Sequence, residues 1–248
     1  MVALAELVSA CDQELQVSEY EDYCPNGLQV EATAEVTFVV TGVTASLALI
    51  EAAAQAGADL LVVHHGYFWK NEPQPLVGMK GRRVAALYRH GISLVAYHLP
   101  LDAHPQLGNN AGLGRALAVE TPAPVAPGDL LWGGRLPGMT PRDLEVRLGE
   151  VLDRPPLWLA GGPERIERLA WCTGAAQGLL ERAADMGFDA FISGEVSEAS
   201  HHIARERGIH YYAAGHHATE RFGVQALGQW LARRFGLAQR FIDLPNPV

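Results

Sequence analysis

Apolar runs and amphipathic stretches alternate along the chain. Leu4 to Leu15 carries apolar side chains at helical spacing, and the β-branched run Val36 to Val43 is short enough to be a buried strand. The next predicted elements are a helix at Ala45 to Ala56, a strand at Asp59 to Val63, a helix at Gly81 to His90, a strand at Ser93 to Tyr97 and a helix at Asn110 to Ala118. This rhythm predicts an α/β fold with a mainly parallel sheet and helices on both faces.

A proline-rich segment interrupts this pattern. Thr121 to Gly128 has three prolines in six positions, which cannot continue a helix or a central strand, so we expect a domain boundary there. A second α/β set follows it. Its predicted elements are a strand at Leu130 to Leu136, a helix at Pro141 to Leu152 with Thr140 as N-cap, strands at Pro156 to Leu159 and Arg168 to Cys172, a helix at Gln177 to Met186, a strand at Ala190 to Ser193, a helix at Ser197 to Arg207, a strand at Ile209 to Ala213 and a helix at Thr219 to Arg234.

The composition is that of an ordinary globular protein. The chain has 248 residues, 48% of them hydrophobic and 19% charged, enough for one large or two modest domains. The formal net charge of -9 disfavours nucleic-acid binding, although it does not exclude a local basic cleft. Three widely spaced cysteines without a CxxC pattern indicate reduced thiols. No apolar run approaches the ~20 residues of a membrane helix, so we expect no membrane contact and a cytoplasmic protein.

Three distant segments bear side chains that bind metals. His64 and His65 end a predicted strand, where neighbouring imidazoles need not point to opposite faces, and Asp102 follows another strand. In the segment from Gly215 to Glu220, a histidine and a glutamate share one helical face. Spacing allows either His216 or His217 to be the partner of Glu220. Each segment alone fits a hydrogen-bonded histidine, a capping carboxylate or a turn, but together they predict a nitrogen and oxygen metal site that suits zinc, manganese, iron or nickel.

The order of these segments predicts the domain organisation. The third segment comes after the second α/β set, so the chain must return to its first domain to join the other two. We therefore predict a metal-binding α/β domain formed by residues 1–124 and 214–248. Residues 125–213 form a second α/β domain inserted into the first.

Six segments form a specific set: Cys24-Pro-Asn-Gly-Leu-Gln-Val-Glu31, His64-His-Gly66, Tyr97-His-Leu-Pro-Leu-Asp-Ala-His104, Gly108-Asn-Asn110, Ser193-Gly-Glu-Val-Ser-Glu198 and Gly215-His-His-Ala-Thr-Glu-Arg221. On this set the chain resembles the Nif-three-like dinuclear-metal proteins, also called type 2 GTP cyclohydrolase homologues, and within them the bacterial YbgI-like branch. The resemblance implies two divalent metal ions per subunit, held by His64, His65, Asp102, His216 and Glu220, and so favours His216 over His217. It also implies a toroidal homohexamer whose metal sites face an internal cavity.

Three residues near these ligands are candidates for catalysis. His98 lies four positions before Asp102 and could orient a ligand or carry a proton, and His104 is a weaker candidate for the same work. Glu195 sits at another predicted strand end, where it either lines the cleft or stabilises a helix N-terminus. Gly174 to Gly178 is a weak sign of a backbone anion site and is explained equally well by helix packing.

Two functions from different classes follow. The first is a dinuclear metal-dependent hydrolase acting on a nucleotide-like small molecule; the resemblance implies GTP cyclohydrolase-like ring opening of a guanine nucleotide by metal-bound hydroxide, and a phosphoesterase is a variant of the same two-metal logic. The second is a non-enzymatic metal-binding ring that binds a protein or nucleic-acid partner.

Overall fold

The computed structural model describes residues 1–248. The chain forms two compact units. Unit 1 comprises Met1–Leu101 and Gly223–Pro245, and unit 2 comprises Asp102–Phe222 and Asn246–Val248. No helix is both long and apolar enough to span a lipid bilayer.

The helices and strands follow one another over the whole chain. In chain order they are β1 (Val2–Ala3), α1 (Leu4–Glu14), β2 (Gly27–Val30), β3 (Glu35–Val36), β4 (Phe38–Thr44), α2 (Leu47–Ala56), β5 (Leu60–His65), α3 (Gly78–His90), β6 (Ser93–Ala96), α4 (Leu99–Ala103), α5 (Asn109–Ala116), β7 (Glu120–Pro124), β8 (Trp132–Met139), α6 (Pro141–Leu152), β9 (Leu157–Leu159), β10 (Ile166–Trp171), α7 (Leu180–Asp185), β11 (Ala190–Ser193), α8 (Glu198–Arg207), β12 (His210–Ala213), α9 (His216–Thr219), α10 (Arg221–Phe235) and β13 (Ala238–Phe241).

Unit 1 is built on a five-stranded sheet in the order β13-β4-β5-β6-β2. The first three pairings are parallel, and β2 runs antiparallel to β6. β4 and β5 are apolar along most of their length because both faces of a parallel sheet are covered. The core packs strand residues such as Val40 and Leu61 against Ile50 of α2 and Leu87 of α3. A separate antiparallel pair joins β1 and β3.

Unit 2 is built on a six-stranded sheet in the order β7-β8-β10-β11-β12-β9. The pairs β10-β11 and β11-β12 are parallel, whereas β7-β8, β8-β10 and β12-β9 are antiparallel. The α/β class is as predicted, but a mainly parallel sheet describes unit 1 alone. Because β11 and β12 are parallel, their carboxyl ends lie at one edge of the sheet, where α/β proteins gather ligand-binding residues.

The proline-rich segment is not a linker. Its first part forms β7, which pairs with β8 at the edge of the unit 2 sheet. Proline is compatible with an edge strand because one side of such a strand needs no ladder hydrogen bond. The unit bounds at 101/102 and 222/223 therefore differ from the predicted domain bounds at 124/125 and 213/214.

The third metal segment also differs from its predicted local structure. The long helix α10 begins at Arg221, not at Thr219, and His216 begins the separate four-residue helix α9. Glu220 lies at the junction, with φ -106° and ψ 10°. His216 and Glu220 thus share one helical turn, but that turn is not the start of the last helix.

Candidate metal centre

His64 and His65 close strand β5 of unit 1 with their rings side by side. The ring centroids are 4.6 Å apart, and His64 is fully buried. Nδ1 of His64 donates to the carbonyl oxygen of Tyr97 at 2.9 Å, which fixes the proton on Nδ1. Nε2 of the neutral ring therefore carries the lone pair that a metal ion needs. Nδ1 of His65 lies 3.1 Å from Oγ1 of Thr44.

Gly66 follows this strand, at a position where a side chain would clash with Gln29. A Cβ there would lie 2.2 Å from Oε1 of Gln29, the atom that accepts the backbone N–H of Tyr67 at 2.7 Å. The glycine thus lets the chain turn against Gln29 immediately after the two histidines.

His98 lies beside these two histidines in unit 1. Its ring centroid is 5.1 Å from that of His64 and 5.8 Å from that of His65. One ligand atom from each of the three rings falls within 4.8 Å of the others. The three imidazoles therefore form a compact group of nitrogen donors.

Asp22 holds His98 in place. Nδ1 of His98 donates to Oδ1 of Asp22 at 2.7 Å, while the backbone N–H of Leu99 and Nδ2 of Asn26 donate to Oδ2 at 2.9 Å each. Burial raises the pKa of Asp22, but the hydrogen bonds from His98 and Asn26 outweigh it and bring that pKa down to about 2. Asp22 is consequently an ionised carboxylate that orients the His98 ring.

His216 and Glu220 form the matching group of unit 2. Nε2 of His216 lies 3.1 Å from Oε2 of Glu220, whose side chain is only 3% exposed. Nδ1 of His216 donates to Oε1 of Glu195 at 2.7 Å. Burial lowers the pKa of His216, but the hydrogen bonds and charges of Glu220 and Glu195 outweigh it and raise this pKa to about 9. The two carboxylates therefore favour a positive charge at Nε2 of His216.

Asp102 is a second buried carboxylate of unit 2 and lies in α4. It is 7% exposed, and its Oδ1 accepts Nδ2 of Asn109 at 2.8 Å and Oγ1 of Thr173 at 3.2 Å. A carboxylate oxygen of Asp102 and one of Glu220 lie within 4.8 Å of each other. Two buried carboxylates at this separation repel each other unless a cation compensates their charge.

Gly174 makes room for Glu220. Its φ is +69°, and a Cβ at this position would lie 2.2 Å from Oε1 of Glu220 and 3.4 Å from Nε2 of His216. The backbone N–H of Gly174 donates to Oγ1 of Thr219 at 3.1 Å. The absence of a side chain at Gly174 thus lets the carboxylate of Glu220 approach the backbone.

One of the three cysteines lies beside the unit 1 donors: the Sγ of Cys24, a carboxylate oxygen of Asp22 and a ring nitrogen of His98 lie within 4.8 Å of one another. All three are buried and free of disulfides. Burial, and then the charges of Asp102 and Glu220, raise the pKa of Cys172 far above its ordinary value. Burial and the charge of Asp22 raise the pKa of Cys24 to about 12. A thiol must lose its proton to bind a metal, so these raised pKa values favour imidazole and carboxylate over thiolate as donors.

The donors present therefore fit a divalent cation. Unit 1 offers a group of imidazoles, and unit 2 offers one imidazole with two buried carboxylates. Nitrogen and oxygen donors of this kind suit zinc, manganese, iron and nickel. The donor set therefore does not distinguish among these metals. The carboxylate that orients His216 and the carbonyl that orients His64 are the supporting contacts expected around metal-binding histidines.

Each sequence-predicted catalytic residue lies beside the donor group of its own unit. His98 joins the histidines of unit 1, and Glu195 binds His216 in unit 2. His104, by contrast, accepts the backbone N–H of Leu107 through Nδ1 and caps a turn. Sequence reasoning gave no role to Asp22, Asn109 and Thr173, although Asn109 lies in the Gly108-Asn-Asn110 motif that supported the resemblance.

Comparisons with known proteins identify the family of the chain. The model of the Duf34/NIF3 (NGG1p interacting factor 3) family matches residues 2–247. A relative in Allochromatium vinosum, named GTP cyclohydrolase 1 type 2 homolog, is 53% identical over 100% of this chain and 98% of its own length. A protein of Escherichia coli K12 with the same name is 49% identical over 98% of each chain.

Solved structures give the same result. The chain is similar to protein ybgI, described as of unknown function, with a TM-score of 0.95 and 47% identity over 100% of both chains. It is also similar to a protein from Thermus thermophilus, TTHA1606, with a TM-score of 0.93 and 37% identity over 100% of both chains. With sequence, fold and whole-length coverage in agreement, the chain belongs to the Duf34/NIF3 family.

Proposed function

We propose that this protein is a metal-dependent hydrolase that binds two divalent cations through His64, His65, Asp102, His216 and Glu220. The observation that carries the proposal is the pair of buried carboxylates, Asp102 and Glu220, whose oxygens lie within 4.8 Å of each other. Two close, buried negative charges cost free energy, and a bound cation would offset that cost.

The chemistry of such a centre is well defined. Two bound divalent ions lower the pKa of water and stabilise negative charge that develops on a substrate oxygen. Five protein side chains do not fill the coordination shells of two ions, so positions remain for water and substrate.

The chain's own residues supply the remaining functions. Glu195 holds the Nδ1 proton of His216, so that Nε2 is the ligand atom. Asp22 holds the Nδ1 proton of His98, so that Nε2 of His98 can accept a proton from water or donate one to a leaving group. His98 is thus the proposed proton carrier, and Asp22 and Glu195 are positioning residues.

The substrate proposed is a nucleotide-like heterocycle. The name GTP cyclohydrolase 1 type 2 homolog, carried by relatives about half identical to this chain, supports a guanine nucleotide as the first compound to test. Assembly into a homohexameric ring is proposed on the family resemblance alone.

The test is turnover with a matched pair of variants. Protein reconstituted separately with zinc, manganese, iron or nickel is incubated with GTP, and formate and phosphate release are measured. Glu220→Gln preserves side-chain volume and removes one ligand charge, whereas Glu198→Gln changes a glutamate whose side chain is 88% exposed. Metal content is measured by mass spectrometry, and oligomer mass by light scattering.

The outcomes separate the functions. Formate release that Glu220→Gln abolishes and Glu198→Gln retains supports ring opening at this site, and phosphate release alone supports a phosphoesterase. The absence of both formate and phosphate from reactions of the metal-loaded protein would contradict a hydrolase of guanine nucleotides. Loss of assembly together with metal in Glu220→Gln would indicate a structural role for the ions.

A further inference from the structure

A cavity of about 580 Å³ lies in unit 2 beside His216. The segment that joins α6 to β9, the chain after β11 and the chain after β12 form its walls. Its lining includes Arg154, Pro155, Leu157, Glu195, Val196 and Pro247. The volume falls within the range of small-molecule sites, about 300–1,000 Å³.

The sheet topology explains why a cavity forms there. β11 and β12 are parallel, and β9 pairs antiparallel to β12 with Leu157 opposite Ala213. The start of β9 therefore lies beside the carboxyl ends of β11 and β12. This is the edge at which open α/β sheets bind their ligands.

Arg154 supplies the one positive charge of the lining. Its guanidinium packs against the backbone of Gly215, since a Cβ there would lie 2.5 Å from Nη1. Nη1 is buried and has no hydrogen-bond acceptor among the protein's own atoms. Arg154 as a whole is only partly buried, so the rest of its guanidinium can meet an oxyanion in the cavity, and a charge-assisted hydrogen bond there would stabilise both groups.

The rest of the lining limits what that acceptor can be. Leu157 is 51% exposed and Val196 is 41% exposed, and together with the neighbouring prolines they offer an apolar surface. Glu195, the only carboxylate side chain of the lining, is engaged by Nδ1 of His216. The single guanidinium of the lining can pair with one oxyanion group, whereas a polyphosphate would leave most of its negative charge uncompensated.

We infer that this cavity binds a small organic molecule bearing one oxyanion group, a monophosphate or a carboxylate, which Arg154 engages while the apolar part packs on Leu157, Val196 and the prolines. The inference names a substrate class for the proposed hydrolase, so its connection with turnover rests on the proposed function. It places the substrate's anionic group next to Glu195, which holds His216, and it names a compound with one oxyanion group, not GTP itself, as the better ligand.

The test is calorimetric titration of the full-length, metal-loaded protein with four probes: GMP, orotate, guanosine and GTP. We expect GMP or orotate to bind more tightly than guanosine and GTP, and whichever of the two binds identifies the anionic group. In Arg154→Gln the affinity for that probe falls by about ten- to a hundredfold, the usual value of a charge-assisted hydrogen bond, and Arg154→Lys retains part of it. Arg135→Gln, at a largely exposed arginine of the same unit, leaves the affinity unchanged.

Several results would overturn the inference. These are equal binding of guanosine and GMP, tighter binding of GTP than of both GMP and orotate, unchanged affinity in Arg154→Gln, or no binding of any probe at millimolar concentration. Thermal melting of both Arg154 variants verifies that they are folded. Turnover with an unchanged KM in Arg154→Gln would overturn the inference and leave the hydrolase intact, whereas Arg154-dependent binding without turnover would do the reverse.

Discussion

Oε1 of Glu195 accepts a hydrogen bond from Nδ1 of His216 at 2.7 Å, although the two residues are 21 positions apart in the chain. Glu195 follows β11 and His216 follows β12, and these strands are parallel neighbours, so their carboxyl ends bring the two side chains together. The contact fixes which nitrogen of His216 carries the proton and leaves the other for Glu220 or a cation.

Replacing Glu195 with glutamine should weaken metal binding without removing a ligand. The amide of Glu195→Gln is a poorer acceptor than a carboxylate and lowers the basicity of His216, so we expect a roughly 10- to 100-fold loss of metal affinity. Competition with a chromophoric chelator measures this loss. Affinity equal to that of the unmodified protein would show that Glu195 does not support His216 as a ligand.

Gly174→Ala should disrupt the same region from the backbone side. The new Cβ would lie 2.2 Å from Oε1 of Glu220, and the φ of +69° is unfavourable for alanine by roughly 1–2 kcal/mol. We expect lower stability in urea unfolding and a loss of bound metal. Gly178→Ala is the matched control in the same segment, because nothing lies within 4 Å of a Cβ there. Equal metal content in both variants would contradict this assignment.

Asp22→Asn tests the positioning of His98 under the proposed function. The amide keeps the shape of the carboxylate but removes the charge that holds the Nδ1 proton of His98, so we expect kcat to fall by about tenfold or more while metal content stays unchanged. The Nδ1–H signal of His98 in NMR should shift at the same time. Asp185→Asn, at an exposed ion pair with Arg207, should leave kcat and this signal unchanged. A normal kcat in Asp22→Asn would remove His98 as the proton carrier.

Local patterns predict the elements that carry the candidate site. β4 and β5 follow from β-branched and apolar runs, because a strand buried on both faces has little choice of residue type. His64 and His65 close β5 and Asp102 lies in the short helix after β6, near the strand ends at which α/β sheets bind their ligands. Their joint role in binding metal remains a prediction.

Features that depend on distant contacts are not predictable in this way. Asp22 binds His98 across 76 positions, and nothing in the spacing of either residue reveals that contact. The four-residue strand β2 pairs with β6 through an irregular register, so its short pattern is weak. The prolines of β7 suggest a linker because a sequence does not show which strand will lie at a sheet edge.

His210 should make the stability of unit 2 depend on pH. Nδ1 accepts N–H groups of Trp158, Gly161 and Gly162 at 3.3 Å each, and Nε2 donates to the carbonyl of Pro163 at 2.9 Å. This arrangement requires the neutral ring, because a proton on Nδ1 would face three donors. Burial lowers the pKa of His210 below its ordinary value of 6.5, and the Pro163 hydrogen bond and the charge of Asp189 only partly oppose it.

The sign of the pH effect follows from this lowered pKa. Above pH 6.5 the ring is neutral in both the folded and the unfolded chain, and its contribution to stability is fully present. As the pH falls below 6.5, the unfolded chain takes up the proton first, so the free energy of unfolding decreases until the folded ring is protonated too.

Urea unfolding at pH values on both sides of 6.5 measures the slope of the free energy of unfolding against pH. His210→Gln should flatten it, whereas His202→Gln, at a side chain that is 63% exposed, should not. An equal slope in His210→Gln and the unmodified protein would assign the pH dependence to other groups.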